Sequence, residues 1–316
     1  MAVCVENALP ILVRAEKLHE PVIEFVSDDK VLRTDLYAAC AAGTVDPDDF
    51  ILHRAVLRTM GFCTQTNLCS GFRLTTAVTG LMHGSGLGTS SILLAGCFRV
   101  LGQIAGIEYT NEDILSMTFI AESVMQTGGG WQDPVGGLYA GVSLSASESG
   151  LRQSVHVQSI PLRAEFAERL GRRLAIVSTG QRHFGRFVVT DVMNRYLAGV
   201  PETVQALEDL KALNRKTAAC FQAEDIAGIA DCLNTQWTLL QKLSDRISSP
   251  HIEKIVQKCR TIADGVCICG AGAGGYLLLV LREDTDEAVL NEFSRKEIFQ
   301  NIPEPVKRIS PYKVGV

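Results

Sequence analysis

The stretch Gly84-Ser85-Gly86-Leu87-Gly88-Thr89-Ser90-Ser91 constrains the fold more than any other part of the chain. It follows a β-like run, Leu74 to Val78, and leads into a long apolar segment, Ile92 to Ile107, that reads as a helix. Three glycines within five positions allow a tight bend, and their missing side chains let a ligand reach the backbone amides. Thr89, Ser90 and Ser91 fall at the helix start, where hydroxyls are favoured because they satisfy free N–H groups. Such a junction is either an anion site, drawing on the amides and the helix dipole, or an ordinary glycine turn with a Ser/Thr cap. No lysine follows the last glycine, so this is not the G-x-x-x-x-G-K-[ST] phosphate loop. If phosphates bind here, positive charge comes from elsewhere, and we expect a metal held by a hydroxyl.

The flanking sequence alternates strands and helices. Ile11 to Val13 and Val22 to Val26 are β-like, and Phe50, Leu52, Val56, Leu57 and Met60 form a helical pattern closed by Gly61. Thr110-Asn111-Glu112-Asp113 has the form of a capping box, opening a helix that stops at Gly128-Gly129-Gly130. Leu138 to Ser143 and Leu174 to Ser178 are expected strands. Helices are expected over Val188 to Leu197, Pro201 to Phe221, Ile226 to Leu243 and Pro250 to Ala263, with Gly265 ending the last. Strands are expected again at Val266 to Cys269, Tyr276 to Leu281 and near Val306, with an acidic helix start at Glu283 to Asp286. The texture is α/β up to about Ser178 and helix-rich α+β beyond it, which predicts domains over 1–178 and 179–316 sharing a cleft.

Composition narrows the partners. A net charge of −5 with no long run of one sign suggests neither a nucleic-acid groove nor an anionic membrane surface. No segment reaches the ~18 uninterrupted apolar residues of a spanning helix. The N-terminal order of Glu6, Arg14, Glu16 and Lys17 is not that of a signal peptide. The expected compartment is cytoplasmic. The ten cysteines contain no C-x-x-C pair and lie mostly in apolar runs, so they read as small buried hydrophobes.

Two further loops carry chemistry. Asp133 sits beside Trp131 in a glycine-rich loop, where its carboxylate would hydrogen-bond a substrate hydroxyl and take or align its proton; otherwise it is the Asp of an Asp-Pro turn. Glu122, late in the preceding helix, is either a Mg²⁺ ligand or part of a solvated face. Gly270-Ala271-Gly272-Ala273-Gly274-Gly275 matches G-x-G-x-x-G, but a dinucleotide loop opens a helix, whereas Tyr276 to Leu281 is β-like. The stretch reads either as a flexible hairpin or as backbone brought close to a ligand.

Together these segments carry a resemblance. Met82 to Leu93, Gln126 to Asp133 and Gly270 to Tyr276 resemble the GHMP small-molecule kinases, and within them the L-fucokinases and their heptose-kinase relatives. The resemblance runs from near residue 1 to about 290 and includes Thr179-Gly180 with the following Arg182. It implies a domain related to the second domain of ribosomal protein S5 plus a ferredoxin-like domain. It implies that His83, Gly84, Ser85, Gly86, Leu87, Gly88, Thr89, Ser90 and Ser91 bind the ATP phosphates. Ser90 and Glu122 would hold Mg²⁺, and Asp133 would be the catalytic carboxylate. Gly129, Gly130, Trp131, Gln132, Thr179, Gly180, Arg182, Gly272, Gly274 and Gly275 would support the loops and the substrate edge. The implied reaction is ATP plus L-fucose giving L-fucose 1-phosphate, the entry into GDP-fucose salvage.

Three departures set this chain apart. The family's first motif, Arg-x-Asp running into Gly-Gly-Trp-Ser-Asp-Thr-Pro-Pro, is absent, and Arg33-Thr34-Asp35 matches only its start. Arg14 to Pro21 looks like the segment that comes after that motif, as if the first strand and much of the sugar-binding surface were missing. Pro134 stands directly after Asp133 and is expected to restrain it to extended conformations. Ala273 stands where the family has glycine, a change with consequences if that position needs positive φ. The alternatives are an active sugar 1-kinase, of fucose or of a heptose, and an inactive or nucleotide-binding relative.

Overall fold

The computed structural model describes residues 2–3, 11–35, 38–39, 50–62, 71–78, 86–127, 129–148, 154–181, 185–300, 302 and 305–309. Elements are numbered along the chain from β1 (Ala2–Val3). By packing the chain divides into two units. One comprises Leu9–Leu81 with Gly88–Leu138; the other comprises Met1–Ala8, Met82–Leu87 and Tyr139–Val316.

The first unit is built on a four-stranded sheet of order β2-β5-β3-β4, from β2 (Ile11–Leu18), β3 (Ile23–Ser27), β4 (Lys30–Thr34) and β5 (Gly71–Val78). Only β3 and β5 run parallel. A parallel pair needs a crossover, and the intervening chain supplies it with α1 (Ile51–Thr59). Along β5, Phe72, Leu74 and Thr76 point inward while Arg73 and Thr75 do not, the period-two alternation of a sheet with one face on the core. Ile23, Phe25 and Leu74 meet Val56 and Leu57 of α1 in that core.

Two long helices cover it: α2 (Thr89–Ala105) and α3 (Asn111–Met125). The buried stripe of α2 runs Ser91, Leu94, Ala95, Phe98, Leu101 and Gly102, the spacing of one helix face. At Gly96 any Cβ would meet Val13 Cγ2 at 2.7 Å, so the missing side chain lets α2 lie close on β2. The Thr110 box is present: the Asp113 amide donates to Thr110 Oγ1 at 3.1 Å, and the Thr110 amide donates to Asp113 Oδ2 at 2.9 Å. The unit closes with α4 (Gln132–Leu138).

α4 corrects two expectations. The strand expected from Leu138 to Ser143 is β6 (Val142–Ser147), because the chain before it is helical. Asp133 is therefore in a helical first turn and not extended before Pro134. Proline is tolerated there because its missing N–H has no partner in a first turn. Pro134 and Val135 are buried, and a Cβ on Gly137 would meet Ile92 Cγ1 at 2.8 Å, so α4 is held by packing on α2.

In the second unit β1, β6 and β7 (Val155–Ile160) form one antiparallel sheet. β11 (Val306–Arg308), β8 (Leu174–Ser178), β10 (Tyr276–Leu281) and β9 (Ala263–Ile268) form another, in that order. Six helices accompany them among the described residues: α5 (Ala164–Arg173), α6 (Gly185–Leu197), α7 (Pro201–Gln222), α8 (Ile226–Leu243), α9 (Pro250–Cys259) and α10 (Glu287–Ser294). The expected helix end at Gly265 is wrong. α9 stops at Cys259, and Gly265 lies within β9, where a Cβ would strike Ala230 of α8 at 2.7 Å. Of the six described cysteines, Cys97, Cys232, Cys259 and Cys267 are buried. No helix among the described residues is long and apolar enough to cross a membrane.

Candidate active site

The first turn of α2 lacks the side-chain cap expected from its hydroxyls. Gly88 is the N-cap residue, with a left-handed φ of 68°, and no side-chain hydrogen bond caps the helix. Ser90 is exposed and Ser91 is buried. Ser91 instead donates its hydroxyl to Oε1 of Glu122, across to α3. Among the described residues no side chain caps the amides of the α2 first turn, at the end of the helix that favours negative charge.

Glu122 is only 4% exposed, and its second oxygen, Oε2, is buried without a hydrogen-bond partner among the described residues. Burial raises its pKa, the Ser91 hydroxyl opposes that shift, and the charge of Asp133 adds to it. The main chain around Glu122 is fixed as well. Its carbonyl accepts from the Thr127 amide at 3.2 Å and from Thr127 Oγ1 at 3.3 Å, as the helix ends in left-handed Gln126. A Cβ on Gly129 would overlap the Glu122 carboxyl, so only glycine leaves that oxygen clear.

Asp133 comes to the same place from α4. A Cβ on Gly88 would lie 2.7 Å from both Cβ and Cγ of Asp133, so its carboxyl rests against the bend that starts α2. Burial pushes its pKa up to about 6. Two carboxylates whose charges repel, one with an orphaned oxygen, are a poor arrangement without a cation. Magnesium takes one or two carboxylates together with phosphate oxygens and waters, so the donors present fit Mg²⁺. Gly130 leaves room for the Gln132 amide, and Trp131 begins α4 by accepting from the Val135 amide at 3.2 Å.

A second group of the expected residues is joined within the other unit. Every residue from Gly270 to Gly275 except Ala271 has positive φ, with Ala273 at 63°. The Ala273 amide donates to Ile247 O at 2.8 Å. The Thr179 amide and hydroxyl both donate to Gly275 O at 2.9 Å, while the Gly275 amide donates to Gln181 O at 2.8 Å. His251 Nε2 donates to Thr179 O at 2.9 Å, seating the turn that contains Gly180. At Gly270 a Cβ would meet the carbonyl oxygen of Gly86 at 2.6 Å, so this loop backs directly on Gly86. It is not a flexible hairpin. His83, Gly84, Ser85, Gly128 and Arg182 lie outside the described residues.

Sequence reasoning paired Glu122 with Ser90, whereas the structure joins Glu122 to Ser91. The signal was available, since Ser91 is a polar residue on the otherwise apolar stripe of α2.

The fold is shared with known proteins. Residues 52–141 match the family model of the GHMP kinases N terminal domain, and residues 208–298 match that of the GHMP kinases C terminal. The chain belongs to the GHMP kinases. Over 308 residues it is 28% identical to a bifunctional fucokinase/GDP-fucose pyrophosphorylase of Arabidopsis thaliana, covering 96% of this chain and 28% of that protein. Over 233 residues it is 27% identical to an L-fucokinase/L-fucose-1-P guanylyltransferase of Bacteroides fragilis, covering 74% and 24%. The chain thus spans about a quarter of the length of these relatives. Among solved structures, the mevalonate kinase of Methanococcus jannaschii superposes with a TM-score of 0.72 at 16% identity, over 96% of this chain and 90% of that one. A D-glycero-D-manno-heptose 1-phosphate kinase from Bacteroides thetaiotaomicron gives 0.68 at 14% identity, over 98% and 88%.

Proposed function

We propose that this chain is the phosphotransferase part of an ATP-dependent sugar 1-kinase, and that its acceptor is L-fucose, converted to L-fucose 1-phosphate. The observation that carries the reading is the paired Glu122 and Asp133 carboxyls at the uncapped start of α2. The two similar fucokinases support the choice of sugar. The domain division 1–178 and 179–316 belongs to the same proposal, the two matched family segments falling on either side of it.

In this reading the 84–91 loop and the first-turn amides of α2 receive the ATP phosphates, with the helix dipole favouring their charge. Ser90 and Glu122 are the residues that would hold Mg²⁺, which when bound neutralises charge on the phosphates. Asp133 accepts a hydrogen bond from the anomeric hydroxyl, aligns that oxygen with the γ-phosphorus, and takes its proton as the new bond to phosphorus forms and the bond from phosphorus to the β,γ-bridging oxygen breaks, with ADP leaving on that oxygen. A carboxyl lifted to about 6 is a better base near neutral pH than an exposed one, yet still ionised there. Gly270 to Gly275 supports Gly86 from behind, so the loop is preorganised.

The test is ATP consumption by the purified protein with L-fucose, D-arabinose, galactose and heptose phosphates, each with and without Mg²⁺. Fucose-dependent, Mg²⁺-dependent turnover is the expected result. Turnover confined to a heptose phosphate would refute the choice of sugar. No turnover with any acceptor, despite Mg·ATP binding, would leave a nucleotide-binding relative.

A further inference from the structure

We propose that Ser91 is a positioning residue: its hydroxyl holds Oε1 of Glu122, so that Oε2 alone is presented to the metal. The inference rests on the phosphotransfer reading above and gives the Ser91 side chain a task that the reading leaves open.

Three features converge on that carboxyl. Ser91 is 5% exposed and has its bond to Glu122 Oε1. Oε2 is buried and has no partner among the described residues. On its far side stands Gly129, where any side chain would overlap the carboxyl. A glutamate side chain has three rotatable bonds, and a buried carboxylate repelled by a neighbouring one would otherwise swing toward any donor. One oxygen tied to a short, buried hydroxyl on a rigid helix removes that freedom. The other oxygen keeps a fixed direction, as the outer partners of metal ligands generally ensure. Ser90, one residue earlier, is exposed on the helix start and free to face a ligand. The two serines thus have separate tasks, Ser90 toward the bound group and Ser91 toward the ligand residue.

The experiment titrates Mn²⁺ into the whole protein with a non-hydrolysable ATP analogue, reading free Mn²⁺ by its electron paramagnetic resonance signal. Ser91→Ala is expected to weaken Mn²⁺ binding about 10- to 100-fold, the usual effect of losing such an outer partner. In turnover, its KM for Mg²⁺ rises while kcat at saturating Mg²⁺ stays within a few-fold. A merely structural loss would lower kcat with the active fraction instead. Gly129→Ala reaches the same carboxyl from an exposed backbone position without touching the core, and it too is expected to weaken Mn²⁺ binding. Parent-like Mn²⁺ affinity in both variants would overturn the assignment while leaving the kinase reading intact. A parent protein that binds no Mn²⁺ with the nucleotide would overturn both.

Discussion

Asp133 carries a cost that its proposed role explains. Its folded pKa, about 6, lies above the ordinary 3.8 because burial disfavours the charge. Between those two values the folded chain holds a proton that the unfolded chain has lost, so stability from this group is present at low pH and falls as pH rises through that window. Above pH 7 the full penalty applies, at most about 3 kcal/mol for a shift of about two units. Asp133→Asn, measured without metal or nucleotide, is therefore expected to raise the unfolding free energy by roughly 1–3 kcal/mol at pH 8, with the gain vanishing near pH 4. The same variant should lose about 10²- to 10⁴-fold in kcat, with its ATP dissociation constant within a few-fold of the parent. Equal stability of the two proteins at pH 8 in denaturant titrations would contradict the burial argument. Retained kcat would contradict the catalytic one. Ala273 is a smaller case of the same kind. It holds a φ of 63° where a Cβ is disfavoured by about 1–2 kcal/mol, while the backbone freedom of glycine in the unfolded chain offsets part of that. Ala273→Gly should stabilise the protein by a few tenths to about 1 kcal/mol. A drop in melting temperature would mean that the Ala273 methyl makes contacts worth more than the strain.

α3 shows how the two ends of an element fix one residue of the candidate site. Its N-terminal box fixes one end and Thr127 fixes the other, and Glu122 lies in the last turn between them. Thr110→Ala removes the cap and is expected to cost about 1 kcal/mol. Because fraying begins at the opposite end from Glu122, the Mg²⁺ dependence of turnover should stay within about two-fold; a large rise in the Mg²⁺ requirement would show that the whole helix shifts. This cap was legible in the sequence, and so were α2, α7, α8, β8 and β10, since each has either long apolar periodicity or a marked end. α4 was not legible. Its seven residues contain a proline and two glycines, and local propensity argues against a helix there. Burial of Pro134 and Val135 and the close approach of Gly137 to Ile92 override that propensity, and none of these contacts is local. Gly265 misled for a related reason: a glycine near a helix end suggests a cap, whereas here it admits Ala230 against a strand. The Asp133–Gly88 contact and the Ser91–Glu122 bond join segments 45 and 31 residues apart, so the pattern marked the loops as chemical without revealing which atoms meet.

For the molecule as a whole, the proposed reading links ligand binding and folding through this carboxylate pair. A ligand that binds only the folded state stabilises it by about 2.7 kcal/mol at one hundred times its dissociation constant. In a chain of 316 residues that corresponds to a rise in melting temperature on the order of 4–6 °C. The nature of the site sets the order among ligands. ATP without metal brings further negative charge toward Glu122 and Asp133, whose mutual repulsion already raises the Glu122 pKa, so it should shift the melting temperature little. Mg²⁺ alone meets two carboxylates and no phosphate oxygens, and should do little at millimolar concentration. In the proposed reading Mg·ATP would satisfy the orphaned Glu122 oxygen and the α2 first-turn amides together, so its effect should exceed the sum of the two separate ones. L-Fucose added to Mg·ATP analogue should raise the melting temperature again if Asp133 receives its hydroxyl, and Asp133→Asn should reduce that last increment more than the nucleotide one. Differential scanning fluorimetry with each ligand and combination measures all of these shifts. A response to ATP that is the same with Mg²⁺ and with a chelator would mean that the carboxylate pair takes no part in nucleotide binding.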